Sequence, residues 1–341
     1  MRADFDDYDR DRRPWNRVLG MLRIVAEAVL VVAALAILYL AFWGPSRHPS
    51  TSTGPSAARP RSSYTAGAQG AGVPPAAAQP TVVPSATPAD VGQAADSFSA
   101  RAQDYLAGRR GRVEAAVYDL STGRQWTLGQ QAPQAEASVA DLEILEAVLS
   151  QRTARRTVLS LTEQELSPPM IEQSDDRAAT TLWRDAGGAR GMRAFDHQAG
   201  LVHTSPSGCL RCRGFSGPGW GLTTTTPQDQ VTLLRQLARP GGVLDSNDRK
   251  YALYLLENVM PSQRWGVSAG VPGGVTVALK NGSLRLGADG SGWQVNSVGW
   301  VSGDGRSYLM SVLSTGSPSE EYGIGTLNHL GAMAWRALAP H

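Results

Sequence analysis

Apolar and polar positions divide the chain into four unequal stretches. From 24 to 43 the sequence is apolar apart from Glu27. As a helix this run spans roughly 30 Å, the thickness of a bilayer core. Helical spacing returns at 97–107, with Phe98, Ala102, Tyr105 and Leu106 on one side and Gly108 as the stop. Period-two alternation at 112–120 predicts a half-buried strand, and 125–128 reads as its hairpin partner across Ser121-Thr122-Gly123. Three more strands are predicted at 275–280, 293–301 and 307–313, then a helix over about 320–338. Between the two strand groups the pattern is helical. One helix starts at Ser138, with Val139, Leu142, Leu145, Val148 and Leu149 on a common face. Another starts at Thr226, where Thr226 caps, Pro227 suits the first helical position and Asp229 completes a capping-box-like triplet. This order predicts an α+β domain: an antiparallel five-stranded sheet flanked by helices, plus a helical subdomain.

Composition sharpens the boundaries. Residues 1–18 hold five aspartates and five arginines and no apolar run, as a disordered tail would. Arginines precede the 19–43 segment, and Tyr39, Phe42 and Trp43 crowd its far end like an interfacial belt. The reading is one transmembrane helix over 19–43 with the N-terminus cytoplasmic and the remainder outside a bacterial plasma membrane. A cleaved signal peptide is the competing reading, but the run is long for one and no A-x-A site succeeds it. Glu27 can snorkel toward water; a proton-relay role is the alternative. Residues 44–96 carry nine of the 21 prolines among Ala, Ser, Thr and Gly, which predicts a disordered linker. The folded domain is placed at 97–341. A formal charge of +2 and the lack of a basic stripe give no reason to expect nucleic acid. No Gly-rich segment precedes a helix as a phosphate loop would, and no cofactor is implied.

Three short motifs carry the candidate chemistry: Ser138-Val139-Ala140-Asp141, Ser174-Asp175-Asp176 and Lys280-Asn281-Gly282. With the stretches 137–145 (ASVADLEIL), 170–176 (MIEQSDD), 221–229 (GLTTTTPQD) and 263–266 (QRWG), they make the chain resemble the class A β-lactamase and penicillin-recognising serine hydrolase family. That family writes the motifs S-x-x-K, S-D-N and K-[TS]-G. The resemblance implies Ser138 as the nucleophile position, with the backbone N–H groups of Ser138 and Ser283 as an oxyanion hole. It implies Ser174 as a proton shuttle, Lys280 as the group that holds Ser174 and attracts a substrate carboxylate, and Asn281 and Gly282 as substrate-binding positions.

The departures from that pattern carry the functional reading. Asp141 stands where the family has the lysine that poises the serine, and only Lys250 and Lys280 exist in the chain. Asp141 lies where Lys280 can reach it, so an ion pair between them is expected. Asp176 replaces an amide donor by an acceptor-only anion. Lys280 against Asp141 and Asp176 gives −1 where the family pattern gives +2, a poor match to an anionic ligand. Class A deacylation uses a glutamate between the second and third motifs, yet no Asp or Glu occurs from 197 to 228.

The leading expectation is therefore a degenerate pseudo-enzyme that binds cell-wall material (peptidoglycan), a β-lactam or a partner protein in the old cleft. The alternative is an active serine hydrolase forming an acyl-enzyme at Ser138, with Asp141 or Ser174 carrying the proton. A third reading leaves the cleft vestigial and gives the biology to the cytoplasmic tail. Ser138 and Asp141 could also be no more than a helix cap with an acid in the first turn. Cys209 and Cys212 form a C-x-x-C that predicts a local disulfide outside the cell. A zinc site with His197 and His203 is the weaker reading, because the spacing matches no common pattern; a thioredoxin-like redox role lacks its βαβ context.

Overall fold

The computed structural model describes residues 88–213, 215–286 and 292–339. The tail 1–18, the segment 19–43 and most of the linker 44–96 lie outside the described residues. Among the described residues, no helix is long and apolar enough to cross a membrane. The first element is helix α1 (Pro88–Ala107), which begins upstream of the start expected at Ser97. Residues 88–96 have the Ala/Gly/Pro-rich, weakly apolar composition of the linker, so composition alone could not separate the two.

Strands β1 (Arg112–Asp119) and β2 (Gln125–Leu128) form the predicted hairpin. Short strands β3 (Gln134–Ala135) and β4 (Thr224–Thr225) pair with each other in a separate ribbon. Strands β5 (Thr276–Arg285), β6 (Trp293–Gly303) and β7 (Arg306–Ser317) complete an antiparallel sheet of order β2-β1-β7-β6-β5. All three run longer than expected, and β5 continues through the whole Lys280-Asn281-Gly282 motif. Neighbouring residues of β1 face opposite ways. Val117 packs with Phe98, Ala334 and Ala337 of the terminal helices α1 and α8 (Glu320–Ala337). Tyr118 instead lies under Arg235 of α6 (Pro227–Ala238). Both faces of the sheet are thus covered, which is why its central strands are buried almost without a break.

The helical insert consists of α2 (Ala140–Arg155), α3 (Leu161–Gln173), α4 (Asp176–Asp185), α5 (Gly188–Ala199), α6 and α7 (Ser246–Glu257). Thr226 caps α6 as expected, accepting from the Asp229 N–H at 3.2 Å. The Asp229 carboxylate does not close a capping box. It accepts instead from the His203 N–H at 2.6 Å and the Thr204 hydroxyl at 2.9 Å.

Helix α2 is the axis of this layer. The sequence shows one apolar face, but every residue from 140 to 150 is buried. Its other side carries Glu143 and Glu146; Glu143 meets Glu136 and Asp196 in the interior, and Glu146 is buried beside Glu143. No oxygen of Glu143, Glu146 or Asp196 accepts a hydrogen bond from an N–H or hydroxyl donor; Glu136 Oε1 accepts from Gln230 Nε2 at 3.0 Å. Burial disfavours the charged form. It pushes Glu136 up to about 8 and, with the neighbouring Glu143, Asp196 up to about 10. Glu143 and Glu146 are also raised well above the usual carboxylate value by burial. Held neutral, these acids can donate to one another, which resolves their lack of other donors.

A folded pKa above the unfolded one gives stability that is complete below the unfolded value of 4.5 and is lost as pH rises through the folded value. The thermal midpoint should therefore fall from about pH 5 to about pH 9. Glu146→Gln should flatten that slope, gaining about 1.4 kcal/mol on the parent for each pH unit above the unfolded pKa. Melting curves across the range check this, and a parallel slope in the variant would count against it.

Candidate functional site: a serine turn against an edge strand

Ser138 is positioned by the chain just before it. Gln134 and Ala135 pair with Thr225 and Thr224, and the Glu136 N–H donates to Thr223 O at 2.8 Å. From the sheet, Asn296 Nδ2 donates to Ala135 O and to Glu136 O, both at 2.8 Å. Gln294 Nε2 in turn holds Asn296 Oδ1 at 2.9 Å. These two amides sit buried inside β6, where apolar side chains would be expected. The clamp delivers the chain into Ala137 at φ +53° and then the tight turn Ala137–Val139. A non-glycine residue there costs on the order of 1–2 kcal/mol, and the clamp supplies what holds it. Ser138 occupies that turn, half-buried, two residues before α2 begins at Ala140 rather than at the helix start expected there; no side chain caps α2. The simple helix-cap reading of Ser138 is thereby corrected.

Opposite the turn lies β5, an edge strand of the sheet. Gly282 makes the approach possible: a Cβ there would stand 2.6 Å from Ser138 N and 2.7 Å from Val139 N. Turn and helix α7 cover an edge that would otherwise present unpaired backbone groups. The cleft is the seam between this edge and the serine turn.

Lys280 points from β5 into the seam and is 1% exposed. Its ammonium lies 3.1 Å from Asp141 Oδ2, donates to Asn281 O at 3.1 Å, and makes a short hydrogen bond to Ser174 Oγ. The structure thus brings together Asp141, Ser174 and Lys280 as the motifs suggested. The Asp141 contact is ionic rather than an aligned hydrogen bond, since neither of its oxygens has a hydrogen-bond partner. Asp141 is 0% exposed. Burial raises its pKa and Lys280 pulls it back, leaving it at about 7.

Ser174 ends α3 in the left-handed conformation (φ +57°), which turns its hydroxyl toward Lys280. Asp175 caps α4, accepting from the N–H groups of Arg177 and Ala178 at 2.8 Å. Asp176 faces the cleft beside Ser138, and its carboxyl is raised by burial and then by Asp175. Asn281 uses its amide to hold Gln263 O at 2.7 Å and Trp265 O at 3.0 Å, tying the 263–266 turn to β5. Ser283 donates a short hydrogen bond to Glu320, the first residue of α8.

Two cavities flank the pair Ser138 and Ser283. One, of about 210 Å³, is bounded by Asp176, Arg285 and the wall 215–218. The other, of about 330 Å³, is bounded by Ser174, Trp265, Asn281, Glu320 and Glu321. Cys209 and Cys212 are disulfide-bonded, with Cα atoms 5.4 Å apart, in the loop that leads to the first cavity's wall. The zinc reading fails because both thiolates are consumed in that bond. His203 instead lies 3.8 Å from the Asp229 carboxylate. Among the described residues no group of three or more His, Cys, Asp or Glu is arranged to hold a metal ion.

Glu320, Gln294 and Asn296 carry no site signal in the sequence, whereas Trp265 lies in the 263–266 stretch that contributes to the family resemblance. The one feature that marks Glu320 there is its place in the first turn of a capped helix.

Breaking a buried pair leaves the partner's charge stranded. Asp141→Ala should lower unfolding stability by about 3–5 kcal/mol at neutral pH. Adding Lys280→Met should restore most of that loss, because the stranded charge is gone. Denaturant titrations of the two variants check the non-additivity; a double variant no better than Asp141→Ala would refute the coupling.

Residues 149–338 match the family described as Beta-lactamase enzyme family, more than half of the chain. The matched stretch starts after Ser138 and Asp141. LppW of Mycobacterium tuberculosis, a candidate lipoprotein by its name, is 28% identical over 222 residues. That alignment covers 63% of this chain and 66% of LppW, so the chain spans just under two thirds of that relative's length. An ancestral class A β-lactamase superposes with a TM-score of 0.59 at 22% identity, covering 70% of this chain and 99% of its own. The TLA-3 extended-spectrum β-lactamase gives 0.61 at 16% identity, covering 72% and 99%. At these identities the likeness is one of fold. With a family model matched over more than half of its length and the same fold in these solved structures, the chain belongs to the Beta-lactamase enzyme family.

Proposed function

We propose that this chain is a membrane-tethered, extracytoplasmic member of its family that binds without hydrolysing. Its ligand, in this reading, is cell-wall material or a partner protein held in the seam. One observation carries the proposal: the carboxylate of Asp141 takes the place of the poising ammonium and engages Lys280 at 3.1 Å. General-base activation of a serine needs a neighbouring group that can accept its proton. Among the described residues, the Ser138 hydroxyl has no hydrogen-bonded base, and the Lys280 ammonium is occupied by Ser174, Asp141 and Asn281 O. Glu320 adds a carboxylate beside Ser283, where the family resemblance calls for stabilising a developing oxyanion. The loop 197–228 offers no carboxylate for a deacylating water.

The tether is the apolar run within 19–43, with the N-terminus on the cytoplasmic side and the Pro/Ala/Ser-rich stretch up to the start of α1 at Pro88 as the linker. The name of LppW as a candidate lipoprotein supports an envelope location. Both cysteines of the sequence are in the disulfide, so a cysteine-linked lipid has no acceptor in it and the apolar run is the proposed anchor.

Incubation of the full chain with a fluorescent penicillin, then intact mass, tests the reading. The expected result is no adduct on the parent and an adduct on Asp141→Lys, where the poising ammonium returns. A parent adduct that disappears in Ser138→Ala would falsify the non-hydrolytic reading and establish a live nucleophile. Thermal melts of each variant confirm that folded protein is being compared.

A further inference from the structure

We infer that the larger lobe of the seam, on the Glu320 side, takes a cationic group: a primary ammonium or a guanidinium at the end of a peptide-like ligand. The inference deepens the binding role proposed above and rests on it.

A lysine ammonium has three N–H groups and no acceptor. At Lys280 two of them donate, to Ser174 Oγ and Asn281 O, and Asp141 Oδ2 lies 3.1 Å away in ionic contact. The cation that would draw a carboxylate into this lobe is buried and already faces an opposite charge at contact distance. What faces the cavity instead is acidic. Glu320 is half-buried and bonded to Ser283, and Glu321 stands beside it with its side chain in solvent. Hydrogen bonds to its own N–H and to Ser319 hold the Glu321 carboxyl below the usual value, so it stays charged. First-turn acids suit a helix N-terminus, which accounts for their presence on α8 but not for the reach of Glu320 across to β5.

A second, independent observation points to a donor-bearing ligand. Asn281 lines the same cavity, is 1% exposed, and has an Oδ1 with no hydrogen-bond partner, while its Nδ2 is fully used. A buried unpaired acceptor costs about 1–3 kcal/mol and is relieved by an incoming N–H. Trp265 supplies an aromatic wall of the kind that favours cations over anions. With Lys280 and Asp141 cancelling, the formal charge facing this lobe is that of two carboxylates. The smaller lobe is lined by both Asp176 and Arg285 and has no such bias.

Cadaverine and glutarate, with five-carbon chains and opposite charge, form the test pair on the full chain. Nuclear magnetic resonance titration should show cadaverine shifting the Trp265 indole and the residues around Glu320, with glutarate giving no saturable shift. Glu320→Gln with Glu321→Gln should weaken cadaverine by roughly tenfold or more, and added salt should weaken it on the parent. Glutarate binding as tightly as cadaverine, or a double variant with unchanged affinity, would overturn the inference. The acylation experiment keeps the two readings apart. A Ser138 adduct with cadaverine binding intact removes the non-hydrolytic reading and supports the charge preference. Absence of both adduct and cadaverine binding overturns the charge preference alone.

Discussion

An ammonium taken out of water needs hydrogen-bond acceptors and a compensating charge at once, and Lys280 imposes that demand on three separate parts of the fold. Strand β5 supplies the carbonyl of Asn281, the junction of α3 and α4 supplies Ser174, and the first turn of α2 supplies Asp141. Sheet and helical layer are thereby pinned to each other at the point where the cleft opens. A buried pair of this kind returns little net stability, because desolvation offsets most of the attraction. What it provides is register: any sliding of α2 against β5 leaves a charge unpaired. Asp141 sits at about 7, so the pinning is sensitive to pH in the neutral range, unlike a surface ion pair.

The serine turn is held by a different means. Buried amides of Asn296 and Gln294 grip the segment ahead of it, and the left-handed Ala137 transmits that grip to Ser138. The machinery that presents a serine is thus complete in its backbone, while the group that would activate it has the opposite charge. Presentation and activation are separable here. In the proposed reading the cleft keeps its shape, with Gly282 against the turn, while its chemistry differs. Fold alone does not decide between those outcomes, and the proposed reading rests on Asp141 and Glu320.

Much of the architecture was legible because strands and capped helices are local matters. The β1–β2 hairpin, the three late strands, the closing helix and the Thr226 cap come from spacing and turn residues. The expected meeting of Lys280 and Asp141 came from motif positions. What escaped was non-local. The spacing marks one apolar face of α2, and periodicity cannot show that Glu143 and Glu146 on the other side are buried as well. Glu320 carries an ordinary helix-start signal, and its bond to Ser283 joins elements that only the folded sheet brings together. Residues 88–96 read as linker because a helix with so little apolar surface there is stabilised by its own continuation through Phe98 and Ala102 into the core.

The burial of Lys280 has a practical side. The sequence contains two lysines, and Lys250 is exposed on α7 while Lys280 is sealed in the seam. Among the described residues the folded domain therefore shows one side-chain amine to the outside. Amine-directed labels and lysine-specific proteases meet a single target until the seam parts. Modification or cleavage at Lys280 then reports directly on opening between β5 and α2, and the protein carries its own marker for that event.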